Sequence, residues 1–175
     1  MTADAFYIVR WVIADGERYL LWRDGGARAD EYALVPGTSK LLIARSAAEL
    51  AEAARRHGLS VANAEVHVVN LQTVRSTLES LRPGRPLSER SAAVLLEAWN
   101  ALDDLSGSLE SSFMTGETSQ QGEVKSAYDK LFYGNNLPAV TPEGSRYRPL
   151  LSDRERQALR RLLRDAISRA EAFLS

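Results

Sequence analysis

The residues of this chain whose types and spacing could do chemistry begin with a run of acids and an amide. Glu97, Asn100 and Asp104 stand at i, i+3 and i+7, with Asp103 beside the last. On a helix that spacing sets oxygen-bearing side chains along one face, where they could hold a divalent cation or a small polar ligand. A solvated face opposite an apolar stripe has the same pattern, and no complementary acid–base partner is visible, so a surface role is the expectation. The chain has two histidines and no cysteine. His57 precedes Gly58 where a helix should end, and the carbonyl-rich terminus favours an imidazolium there. His67 lies in a strand-like run without a Ser/Asp arrangement or second histidine, and is expected to be structural or solvated. Thiolate metal sites, disulfides and cysteine nucleophiles are excluded. Gly25, Gly26, Gly134 and Gly144 match neither the dinucleotide nor the P-loop pattern. No catalytic residue, metal site or cofactor is expected.

Two further constellations are candidates for binding. Arg156, Arg160 and Arg164 succeed one another at i+4 with Arg161 adjacent, a basic stripe able to grip carboxylates or phosphates. Asp153, Glu155 and Asp165 can pair with it, so solvation is its expected fate. The stretch Gly134-Asn135-Asn136-Leu137-Pro138 permits left-handed backbone, and Pro138, Pro142 and Pro149 stiffen the chain from there to residue 149. A stiff loop flanked by aromatic and arginine side chains suits protein recognition. Phe132, Tyr133, Asn135, Asn136, Tyr147 and Arg148 are therefore the candidate partner-binding residues. The alternative is a long connection packed over the core by Leu137, Val140 and Tyr147.

The elements that must position these groups fall in two blocks. Residues 6–13 and 18–23, rich in aromatic and β-branched side chains and separated by Asp15-Gly16, read as a hairpin. Shorter runs at 31–35 and 40–44 extend it into an antiparallel meander. Ser46 and Glu49 make a capping-box signature for a helix ending near Gly58. The alternation over residues 65–71 predicts a strand, and Val74, Leu78 and Leu81 a helix over 72–81. From there the pattern is helical. Leu95, Trp99, Leu102 and Leu109 mark residues 88–112; Val124, Tyr128, Leu131 and Phe132 mark a shorter helix. A second capping box at Ser152 and Glu155 opens the last one. The polar stretch 115–122 is expected to be a loop.

Strands followed by helices, with one strand returning, imply an α+β fold: a small, mostly antiparallel sheet packed by helices. The expected organisation is one domain over residues 1–175, sheet-rich over 1–84 and helical over 85–175. The 175 residues are 45% hydrophobic, enough for a substantial core. With 22 Lys+Arg against 23 Asp+Glu the net charge is -1, which gives no whole-chain field to attract nucleic acid. No stretch reaches the roughly 18 apolar residues of a membrane span, and the amino terminus lacks a cleavage pattern. A cytoplasmic location is expected, with oligomeric state open.

The segments LLEAWNALDDLSGSL (95–109) and YDKLFYGNNLPAVTPEG (128–144) resemble a family of small bacterial immunity proteins linked to contact-dependent or polymorphic toxins. The resemblance covers the carboxy-terminal half. It implies a cytoplasmic α+β binder, not an enzyme, that neutralises a cognate toxin domain by steric occlusion. Many such inhibitors are strongly acidic, whereas this chain is nearly neutral, so the class of toxin stays open. The competing expectations are an enzyme or a small-ligand or metal-binding protein using the carboxylates around Glu97, Asn100 and Asp104, and a homodimer built on exposed aromatic residues of the sheet.

Overall fold

A computed structural model describes residues 5–111, 113–114, 122–137, 139, 141–142 and 145–175. β1 (Tyr7–Ile13) and β2 (Gly16–Arg23) form the expected hairpin, with Tyr7 opposite Trp22 and Ile13 opposite Gly16. Gly16 takes a φ of 126°, which a side chain rarely adopts, and that is why glycine serves at this turn. The free edge of β2 is shared by two short strands, β3 (Glu31–Tyr32) and β4 (Ile43–Ala44). The runs at 31–35 and 40–44 thus pair over two residues each, joined by a Leu34–Leu41 bridge.

After α1 (Ala47–Arg56), β5 (His67–Asn70) returns to the other side of β1 and runs parallel to it. The path is β3-β2-β1-β5, and the sheet is mixed. Asn70 ends β5 and also caps α2 (Leu71–Ser80), accepting the Thr73 N–H at 3.0 Å. The helical half comprises α3 (Glu89–Ser108), α4 (Gly122–Gly134) and α5 (Asp153–Leu174). α3 stops short of the expected 112: Leu109 caps it and Glu110 turns left-handed at φ 49°. Of the polar stretch 115–122, only Gly122 lies within the described residues.

The pleat sorts the sheet's side chains. One face sends Phe6 and Leu21 toward Leu50 and Ala54 of α1. The opposite face buries Val9, Trp11, Ile13, Leu20 and Tyr32 in a cluster that also contains Leu71, Val74 and Leu78 of α2, Leu95, Leu102 and Leu105 of α3, Leu131 of α4, and Leu159, Leu163 and Ile167 of α5. This cluster crosses residue 84. Polar ties reinforce it at the seams. Glu171 of α5 accepts two hydrogen bonds from Arg75 of α2, both at 2.8 Å, and the Ala14 N–H of the hairpin turn at 3.1 Å. Glu155, in a full capping box with Ser152, accepts from Lys130 and Ser126 of α4. Among the described residues no helix is long and apolar enough to cross a membrane.

Candidate functional site

The strand register creates the site. Tyr32, Trp22 and Tyr7 stand side by side on β3, β2 and β1, because Tyr32 pairs with Trp22 and Trp22 with Tyr7. In the next row His67 of β5 pairs with Val9. All lie on the sheet face that α3 covers. α3 leaves a gap over this end of the sheet, and what it turns toward the gap is its polar face: Glu97, Asn100, Ala101 and Asp104. Asp30, just before β3, and Glu65, just before β5, complete the rim. The result is a cleft of about 410 Å³ with aromatic walls and a lining of four carboxylates. That volume is at the lower end of the roughly 300–1,000 Å³ of pockets that seat small ligands.

Exposure falls from mouth to floor. Tyr7 is 40% exposed and Tyr32 only 3%. The Tyr7 and Trp22 rings are 6.2 Å apart at an angle of 50°. The Trp22 indole N–H donates to Asp104 Oδ2 at 3.0 Å, locking strand to helix. His67 Nε2 lies 3.0 Å from Glu97 Oε1. Tyr128 of α4 packs against Trp99 with the rings tilted at 60° and 5.1 Å apart, and donates to Asn100 Oδ1 at 3.3 Å. Asp30 is fixed by the loop before it: its Oδ1 accepts the Gly25 N–H at 2.9 Å, and a Cβ at Gly25 would run into the Ala29 carbonyl. Only glycine permits this approach.

The electrostatics are those of crowded negative charge. Burial pushes Asp104 up to about 6; the Trp22 hydrogen bond opposes that, and the charges of Asp30 and Asp103 add to it. Burial likewise raises Asp103. The Tyr128 hydroxyl is raised by burial and then by Asp103, Asp129 and Asp104. Among the described residues no lysine, arginine, serine or threonine lines the cleft. Its excess of carboxylates gives a negative potential that attracts a cation, and the hydroxyls among its described lining residues are the phenols of Tyr7 and Tyr32. Nor is any group of three or more His, Asp and Glu side chains among the described residues arranged to hold a metal ion.

The constellation expected to be surface, Glu97, Asn100 and Asp104, lines this cleft with His67; Glu97 and Asn100 are exposed and Asp104 is half-buried. Its helical spacing was visible in sequence. Tyr7, Trp22, Asp30, Tyr32 and Glu65 were not, since only strand pairing brings them there. A signal did exist in the aromatic residues of the hairpin, whose alternation puts Tyr7 on one face with Val9 and Trp11.

The loop residues assemble elsewhere, near the start of α3. Asn136, at φ 48°, donates through its side chain to the Gly134 and Tyr147 carbonyls and accepts the Tyr147 N–H at 2.7 Å. Gly134 is pressed against Pro149 and Ala92. Tyr133, Leu137, Tyr147 and Leu150 are exposed there, as is Arg148. Phe132 is half-buried, edge-on to Tyr133 at 5.5 Å, and Asn135 is half-buried at the helix end. Pro138, Val140, Glu143 and Gly144 lie outside the described residues. The basic stripe of α5 divides: Arg161 and Arg164 are exposed, whereas the other two are used internally. Arg160 donates to the Leu78 and Leu81 carbonyls at the end of α2, and Arg156 is buried against Asp153. His57 is the C-cap of α1, as its position before Gly58 implies. No family model, curated protein or solved structure matches the chain.

Proposed function

We propose that this protein is a non-enzymatic binding domain that neutralises a protein partner by covering it, in the manner of a bacterial immunity protein, and that the partner docks over the cleft between the sheet and α3. The observation that carries this is the cleft's composition: three aromatic side chains and four carboxylates, without a lysine, arginine, serine or threonine among the described lining residues. Two of its acids are already engaged, Glu97 with His67 and Asp104 with Trp22. Such an arrangement favours holding a ligand over transferring protons or groups. Aromatic anchors around a concavity are what tight interfaces use.

Purified wild-type chain used as bait in a lysate of its source cells should capture one protein at one-to-one stoichiometry and abolish that protein's activity. Asp104→Lys, which sets a cation inside the cleft, should lose the capture while keeping the fold. Equal capture by both proteins overturns the cleft as the docking site. A second contact surface is favoured by one observation: Tyr133, Leu137, Tyr147 and Leu150 supply half of the eight large apolar side chains exposed among the described residues. From Ala92, beside Gly134, to Asp104 the helix rises roughly 18 Å. A standard interface spans that distance. The double variant Tyr133→Ala/Tyr147→Ala tests it by the same capture, which should weaken if the partner reaches that far.

A further inference from the structure

We infer that the group seated in the cleft is a guanidinium, supplied as an arginine side chain of the partner, lying against the Trp22 ring and forked onto the Asp104 and Glu97 carboxylates. The inference deepens the docking reading above and rests on it. Three features select this ligand.

The first is charge. Asp30, Glu65, Glu97 and Asp104 converge on one concavity in a chain whose net charge is only -1, and His67 is the only basic side chain among the described lining residues. Like charges held together at an apolar wall are costly unless a counter-charge arrives. The second is shape. Tyr7 and Trp22 bring partly exposed aromatic rings to the cleft above the buried Tyr32, and aromatic rings attract a cation and best suit a planar one. An ammonium is compact and strongly hydrated, and gives up more water to enter. The third is hydrogen-bond capacity. Among the described residues Asp104 Oδ2 accepts the Trp22 indole, and no hydrogen bond engages Oδ1. The carboxylate has an acceptor left for a forked donor whose five N–H groups must all be satisfied. A metal cation is the weaker alternative, because the described acids do not converge into a coordinating group of three.

The test uses the full chain labelled with nitrogen-15 and follows the Trp22 indole N–H resonance. Nα-acetyl-arginine methylamide should shift that resonance saturably. The corresponding lysine derivative should bind about tenfold more weakly, and the uncharged citrulline derivative, equal in shape, should leave the resonance unmoved. Asp104→Asn keeps a carbonyl oxygen for the indole and should weaken the arginine derivative about tenfold. Glu65→Gln, on the rim, is a second variant that should reduce binding while leaving the fold intact. Citrulline binding as well as arginine, no response to any of the three, or an Asp104→Asn protein that binds as wild type each overturns the assignment.

Capture of the partner separates the two readings. If the arginine derivative fails while Asp104→Lys still abolishes capture, docking stands and the guanidinium falls. If the derivative titrates while capture ignores Asp104→Lys, the cation site stands and the partner does not use it.

Discussion

At Asp104 the proposed cation binding and stability pull in opposite directions. Its folded pKa of about 6 lies above the ordinary 3.8. Protonation therefore favours the folded state: the group's stabilising contribution is fully present below about 3.8 and is lost as pH rises through about 6. Asp104→Asn mimics the protonated form, so it should raise Tm at pH 8 by roughly 2–4 °C. The gain should vanish by pH 4, which a thermal series across pH would show. The cation affinity should move the other way, falling as pH drops through 6. Among the described residues, the titratable groups that line the cleft with Asp104 are Tyr7, Asp30, Tyr32, Glu65, His67 and Glu97, with Asp103 and Tyr128 close enough to interact with its charge. Protonating Asp104 removes its share of the attraction for a cation. At this scale the sequence was half legible. Helical spacing announced Glu97, Asn100 and Asp104 as one face, because residues three and four apart are neighbours on any helix. It could not announce Trp22, which is 82 residues from Asp104 along the chain and 3.0 Å away in space.

Between elements, stability rests on a few carboxylates that join three pieces of chain at once. Glu171 ties α2 and the hairpin turn to α5. Removing it leaves Arg75 and the Ala14 N–H without that partner. Glu171→Ala should cost about 2 kcal/mol in a denaturant unfolding experiment. Glu155 joins α4 to the start of α5. Burial works to raise its pKa, but hydrogen bonds from Lys130, Ser126 and Ser152 prevail and hold it down at about 2. A lowered folded value means that this stabilisation is present above the ordinary 4.5 and is lost as pH falls toward 2. Glu155→Gln should therefore destabilise the protein at pH 7 and narrow its difference from wild type below pH 3, read from Tm at each pH. The helix starts behind these ties were plain in the sequence, since Ser152 and Glu155 form a capping box by local bonds alone. The arginine stripe was legible in part, since the Arg156–Asp153 pair and the exposed Arg161 and Arg164 follow from local spacing, but the place of Arg160 does not. Nothing local says that Arg160 will find the last carbonyls of α2.

For the whole molecule, α+β order was legible because strand and helix periodicities differ and occupy separate stretches. The parallel return of β5 was not, since pairing partners depend on how α1 packs and not on the strand's own pattern. One buried cluster takes side chains from the hairpin and from α5, so the sheet-rich and helical halves should lose structure together. Leu102→Ala, at its centre, should cost about 3 kcal/mol. Far- and near-ultraviolet circular dichroism should still report one coincident unfolding transition. Two resolved transitions would mean that the halves are separate units.

The three tryptophans make the protein its own optical gauge. Trp11 is fully buried and Trp99 is 5% exposed, each in the core, while Trp22 is partly exposed at the cleft with its indole held by an acid. Emission from the first two should stay blue and constant, whereas that of Trp22 should track the charge and water around it. Any occupant of the cleft would change brightness or colour without an added label. A Trp22→Phe protein, emitting steadily whatever is added, would supply the dark reference against which the filling of the cleft could be watched in real time.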